Sequence, residues 1–194
     1  MNPNDISLLI RKRRSVYPKN YSEEMVDNRI IREMLENGNW APTHRLTEPW
    51  RFTVFEGEGL KTLADFQASQ FKLNSEKQGT FTESKYLKLK NKPLACSHII
   101  AIGMRRDPAE SVPEIEEVAA VSCAVQNMWL TASAHGIGCY WSTGGVTYDP
   151  TALDFFGLTK VDKLLGFLMI GMPSIQPKAS RRGPISDKVT WVTQ

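Results

Sequence analysis

Cysteine is scarce in this 194-residue chain: Cys96, Cys123 and Cys139 make three, an odd number set among apolar neighbours. That usage argues against a disulfide framework and sets the expectation of a reducing, cytoplasmic environment, with the thiols buried as small apolar residues. Histidine is as scarce (His44, His98 and His135), and no short Cys/His ligand spacing occurs, so no metal site is expected. Long hydrophobic runs are missing too. The most apolar stretch, residues 118–134, is broken by Ser122, Gln126, Asn127 and Thr131, which is too polar for a bilayer span. The first five residues lack the basic-then-apolar pattern of a targeting signal. No repeat, low-complexity tract or linker interrupts the chain, and its length suits one domain over residues 1–194.

Several common chemistries also lack their signatures. There is no G-x-x-x-x-G-K-[ST] phosphate loop, no G-x-G-x-x-G after a strand and no G-x-S-x-G elbow. Gly136-Ile137-Gly138 falls at a helix end, where it does not make a dinucleotide fingerprint. With no evident nucleophile or acid–base pair, no side chain is expected to be catalytic, and a cofactor is expected to carry the reaction. Net charge is +3, with basic runs at residues 11–14 and 181–182. Such a mild excess argues against a nucleic-acid partner, whereas a phosphate-bearing small ligand needs only a few cations.

The patterning that is present reads as α+β, a sheet among helices without regular βαβ alternation. Helices are predicted at residues 6–13, from a Ser22 N-cap to a stop at Gly38, at 59–70, from Pro113 to Gly136, and at 150–156. Strands are predicted at 51–55, 97–104, 140–143 and 164–170. The lysine-rich tract 71–92 reads as a helix and a mobile flap over a ligand. Residues 118–134 are apolar on nearly every face, which predicts a helix buried all round in a core shared with a second copy. A tail follows Pro173, with Trp191 as an apolar anchor for packing over a partner.

Three segments carry the candidate chemistry. Arg13-Arg14-Ser15 offers two planar multi-donor groups and a hydroxyl for a phosphate. The loop Trp40-Ala41-Pro42-Thr43-His44 through Pro49-Trp50 can hold His44 against a ligand. The stretch from Gly136 to Gly145, containing Trp141, Ser142 and Thr143, lets backbone approach a flat ligand. His98 and His135 read as structural, and Trp50 as core.

In this order and spacing the segments resemble the nitroreductase family of flavoproteins, most closely its minimal members. The matching pieces are Arg-Arg-Ser, Ala-Pro-x-His-x-x-x-x-Pro-Trp, the long helix running into Gly-x-Gly-x-x-Trp, the strand Gly-Phe-Leu-Met-Ile-Gly-Met-Pro and a late Arg-x-Pro. The resemblance implies a nitroreductase-like α+β homodimer with a mixed or antiparallel sheet, a domain-exchanged C-terminal tail and FMN at the subunit interface. It implies flavin contacts from Arg13, Arg14, Ser15, Trp40, His44, Trp141, Ser142, Thr143 and Arg182, with His44 reaching across the dimer. Residues 131–136 correspond to a segment associated with the nicotinamide. The implied activity is hydride transfer from NADH or NADPH through flavin N5 to a small-molecule acceptor such as a nitroaromatic or quinone, in two half-reactions. A flavin-storage protein is the alternative. Where many members have Asn, Gln and a basic residue, this chain has Leu46, Glu48 and Tyr17. The last departure leaves open which group offsets charge at the N1–C2 edge of the reduced ring.

Overall fold

A computed structural model describes residues 2–193. Four strands, β1 (Trp50–Glu56), β2 (His98–Met104), β3 (Gly138–Ser142) and β4 (Lys163–Gly171), form one antiparallel sheet in the order β1-β2-β4-β3. β2 is buried at every position, because both sheet faces are covered. Alternation sends Ile100, Ile102 and Met104 to one face and Ile99 and Ala101 to the other. The first face packs on α2 (Asn28–Asn39) and α5 (Glu114–Ala134). The second packs on α3 (Glu58–Lys77) and a 3-10 helix at Pro150–Phe156. Helix α1 (Pro3–Lys12) contributes no buried residue.

Local chemistry sets the boundaries. The cap of α2 is Asp27 rather than Ser22: its carboxylate accepts the Arg29 N–H at 2.8 Å. Residues 22–27 stay non-helical, because the Val26 N–H donates to Ser97 Oγ at 2.8 Å, a long-range bond that sequence pattern does not register. The tract 71–92 holds the end of α3 and a further helix, α4 (Glu83–Asn91), packed against it.

Helix α5 starts after Pro113 with Glu114, Glu116 and Glu117 at the positive end of its dipole. Glu117 is buried, accepts the Arg106 guanidinium, and takes the Asp107 N–H at 2.9 Å. The all-round burial expected of α5 does not hold within one chain. Ile115, Ala119, Cys123 and Gln126 form an exposed stripe at helical spacing, so Cys123 is exposed while Cys96 and Cys139 are buried. Residues 174–193 are exposed throughout, Trp191 among them.

Candidate functional site

The site begins where α1 stops. Arg13 caps the helix, and the next residues run along β3: Ser15 bridges Cys139, and the Val16 N–H donates to the Cys139 carbonyl at 2.9 Å. Glycine is required opposite, since a Cβ on Gly138 would sit 2.9 Å from Val16 Cβ. Arg13, Arg14, Ser15, Tyr17, Lys178 and Arg182 thereby line one cavity of about 440 Å³. The sequence motif and the late arginine, 168 positions after Arg14, meet here at one place.

The electrostatics of this cavity are one-sided. The Arg13 guanidinium lies 4.5 Å over the Trp129 ring. Burial pushes its pKa down from the ordinary arginine value, and Arg182 and Arg14 push it further. Arg14 donates to the carbonyls of Arg11 and Arg13 at 2.6 and 2.8 Å. Arg182 donates to the Ser180 hydroxyl and, at 3.0 Å, to the Arg181 carbonyl. Among the described residues no carboxylate pairs with any of the three arginines. Converging cations without a counter-ion suit a polyanion such as a phosphate.

A second cavity, about 470 Å³, opens between α3, α4 and the end of β3, with Ser142 and Thr143 in its wall. The Tyr17 ring, in the wall of the first cavity, packs on the Tyr140 ring at 4.5 Å. Lys92, at the C-terminal cap of α4, places Nζ 5.2 Å from the Tyr140 ring and donates to Ser142 Oγ at 3.2 Å. Burial lowers the Lys92 pKa, with Cys96 opposing and Lys88 adding to the shift. Sequence reasoning missed Lys92. Tyr17 signalled that a cation was wanting, but the donor lies in a tract without pattern, 50 positions from the serine it bonds.

The remaining expected residues lie elsewhere. Trp141 lines neither cavity. Its indole donates to the Leu165 carbonyl at 3.0 Å, and its ring packs on the α2–α5 core. That arrangement depends on Gly166 (φ +128), where a Cβ would stand 2.6 Å from the Ser142 carbonyl oxygen. Trp40 is 78% exposed, with its indole 3.0 Å from Glu36. His44 is exposed as well, its Nδ1 2.6 Å from Glu116. Both lie away from the cavities of their own chain, His44 beside the start of α5. Its loop contains three non-glycine residues at positive φ, Arg45, Leu46 and Glu48. In the 131–136 segment, the Thr131 hydroxyl accepts from Asn37 at 2.9 Å and donates to the Asn127 carbonyl at 2.9 Å. Trp50 is buried and donates to Asn39 at 2.9 Å. His98 is buried between Ser97 and Asn28, and His135 meets Glu33 at 3.0 Å.

No helix among the described residues is long and apolar enough to cross a membrane, and no His/Cys/Asp/Glu group among them could hold a metal ion. Comparison with known proteins matches residues 10–172 to the nitroreductase family. A Bacillus subtilis protein carrying a provisional NAD(P)H nitroreductase name is 31% identical over 183 residues, which is 94% of this chain and 91% of that protein. The crystal structure of a nitroreductase-like family protein from Bacillus cereus superposes with TM-score 0.82 at 29% identity, covering 100% of this chain and 99% of that one. A Desulfovibrio desulfuricans structure in complex with FMN gives TM-score 0.73 at 24% identity, with 100% and 99% covered.

Proposed function

The chain belongs to the nitroreductase family, and from that membership we propose an FMN-dependent oxidoreductase that works as a homodimer. It takes electrons from NADH or NADPH and delivers them to electron-poor acceptors such as nitroaromatics or quinones. The observation that carries this reading is the convergence of Arg13, Arg14 and Arg182, none paired with a carboxylate among the described residues, on the cavity that Ser15 also lines. The FMN complex of the Desulfovibrio desulfuricans relative supports the choice of ligand.

The donor set fits a flavin mononucleotide. Arg13, Arg14, Ser15 and Arg182 would hold the phosphate, and Ser142, Thr143 and Lys92 would border the ring. FMN supplies hydride chemistry at N5, accepting from the nicotinamide and donating to the acceptor in two half-reactions. The residues supply position and charge. Lys92, fixed by Ser142, is a cation available to offset negative charge on the reduced ring, the role left open by Tyr17. No side chain is required as proton donor; the open second cavity admits water.

Dimerisation is supported by what one chain leaves uncovered: α1 apart from the half-buried Leu9, the stripe of α5 through Cys123, and residues 174–193. Trp40 and His44 would serve the neighbour's flavin, which accounts for their distance from their own chain's cavities. An isologous interface would build two such sites, with the tails exchanged.

The test is anaerobic addition of NADH or NADPH to the yellow purified protein. The visible flavin band should bleach within seconds and return on adding a nitroaromatic or quinone. A band that persists with both donors would overturn the enzyme reading in favour of flavin storage.

A further inference from the structure

Resting on that oxidoreductase reading, we propose that the second cavity selects aromatic acceptors bearing an anionic substituent. Three cations line it. Lys85 and Lys88 on α4, and Lys92 at its cap, are separated by three and four positions and so share one helix face. The Lys85 ammonium lies 4.6 Å from the Phe71 ring centroid, an arrangement that keeps it at the cavity. No carboxylate pairs with these three lysines among the described residues, whereas Lys90, elsewhere on the helix, pairs with Asp65 at 3.5 Å.

The opposing wall carries the apolar side chains of Val146, Phe167 and Met169, and Leu89 of α4 faces the same space. One carboxylate is present, Asp149, and it is already satisfied. It accepts the Asn74 amide at 2.6 Å, the Thr151 N–H at 2.9 Å and the Thr151 hydroxyl at 2.6 Å. The cavity therefore joins an apolar surface for a ring to an excess of positive charge. With Lys92 held by Ser142, Lys85 and Lys88 are the pair free to meet an incoming carboxylate. A volume of about 470 Å³ admits one substituted ring and is small for an entire dinucleotide, which favours the acceptor as the anion recognised.

The experiment compares 4-nitrobenzoate with 4-nitrobenzamide as acceptors for the holoenzyme, wild type and Lys85→Gln/Lys88→Gln, at saturating NADH. Taking the carboxylate-to-amide ratio of kcat/KM, and then variant over wild type, cancels the acceptors' intrinsic reactivities. The double variant should lower that preference about tenfold, roughly threefold per partly screened lysine, and high salt should mimic part of the loss in wild type. Benzoate, which is not reduced, gives a readout without turnover: by calorimetry the variant should bind it about tenfold more weakly. A preference and a benzoate affinity that both stay within about twofold would overturn the proposal. So would a rise in the KM for NADPH with acceptor preference intact, which would assign the lysines to the donor's phosphates. Should wild type reduce neither acceptor, the enzyme reading fails, while the benzoate titration still decides the lysine site.

Discussion

Replacing Arg13 and Arg182 together with alanine should strip the flavin while leaving the fold in place. A hydrogen bond to a charged group contributes about 1.5–3 kcal/mol, and each 1.4 kcal/mol is a factor of ten in affinity. Arg182 is exposed and solvent-screened, so its removal belongs at the low end, about tenfold. Arg13 is half-buried over Trp129, where water compensates less, so its loss should cost about a hundredfold. The double variant should then bind FMN about a thousandfold more weakly, if the two effects add. Quenching of FMN fluorescence at fixed ionic strength measures this directly. Far-ultraviolet circular dichroism controls for loss of the Trp129 contact, and Arg13→Lys, which keeps charge but loses planarity, should fall between. Affinity within about threefold of wild type in the folded double variant would refute the phosphate assignment. Equal wild-type affinity for riboflavin and FMN would do the same.

Lys92→Gln should lower the flavin midpoint potential by on the order of 30 mV, the shift expected if the half-buried cation that we propose borders the reduced ring is lost; spectroelectrochemistry reads it. Met128→Ala should destabilise the protein by about 2–5 kcal/mol in urea titration, since Met128 is fully buried and fills the space beside Gly38, where a Cβ would approach its Cγ to 3.0 Å. Asp162 is a pH-sensitive brace. Burial acts to raise its pKa, but the N–H groups of Thr159 and Arg106 and the Thr159 hydroxyl outweigh it and hold the carboxyl below the ordinary value. The folded state thus favours the ionised form, and this contribution is full above the unfolded aspartate value of about 3.9. It is lost as pH falls through the depressed folded value, so Asp162→Asn should lower stability at neutral pH and flatten the acid limb of a stability profile.

Strong local periodicity and motif order made much of this protein legible. The strand at 164–170 and the 3-10 segment at Pro150–Phe156 emerge within a residue of their expected ends, and Gly136 stops α5 with φ +73 as its type suggests. Arg13, Arg14, Ser15 and Arg182 could be named because the motif lists them in chain order, although only the fold brings them to one cavity. What stayed hidden depended on distant partners. The false start at Ser22 follows from a bond between residues 26 and 97, and the place of Trp141 from the open backbone at Gly166. Lys92 belongs to a tract whose polar residues look alike until α4 folds against α3 and sets its cap beside Ser142. The exposed stripe of α5 reads as core in the sequence because composition records that a face is apolar, but not whether its own chain covers it.

The backbone bond between Val16 and Cys139 makes the site a ruler. The Arg13–Ser15 arm is clamped to one point on β3, and Ser142 stands three residues further along the same strand, about 10 Å away at a rise of about 3.3 Å per residue. Main chain, not side chain, sets that span, so surface drift elsewhere leaves it unaltered. A coenzyme lacking the terminal phosphate would leave one end of the gauge empty, and one extended by an adenylate would have to lead its extra length out past the arginines.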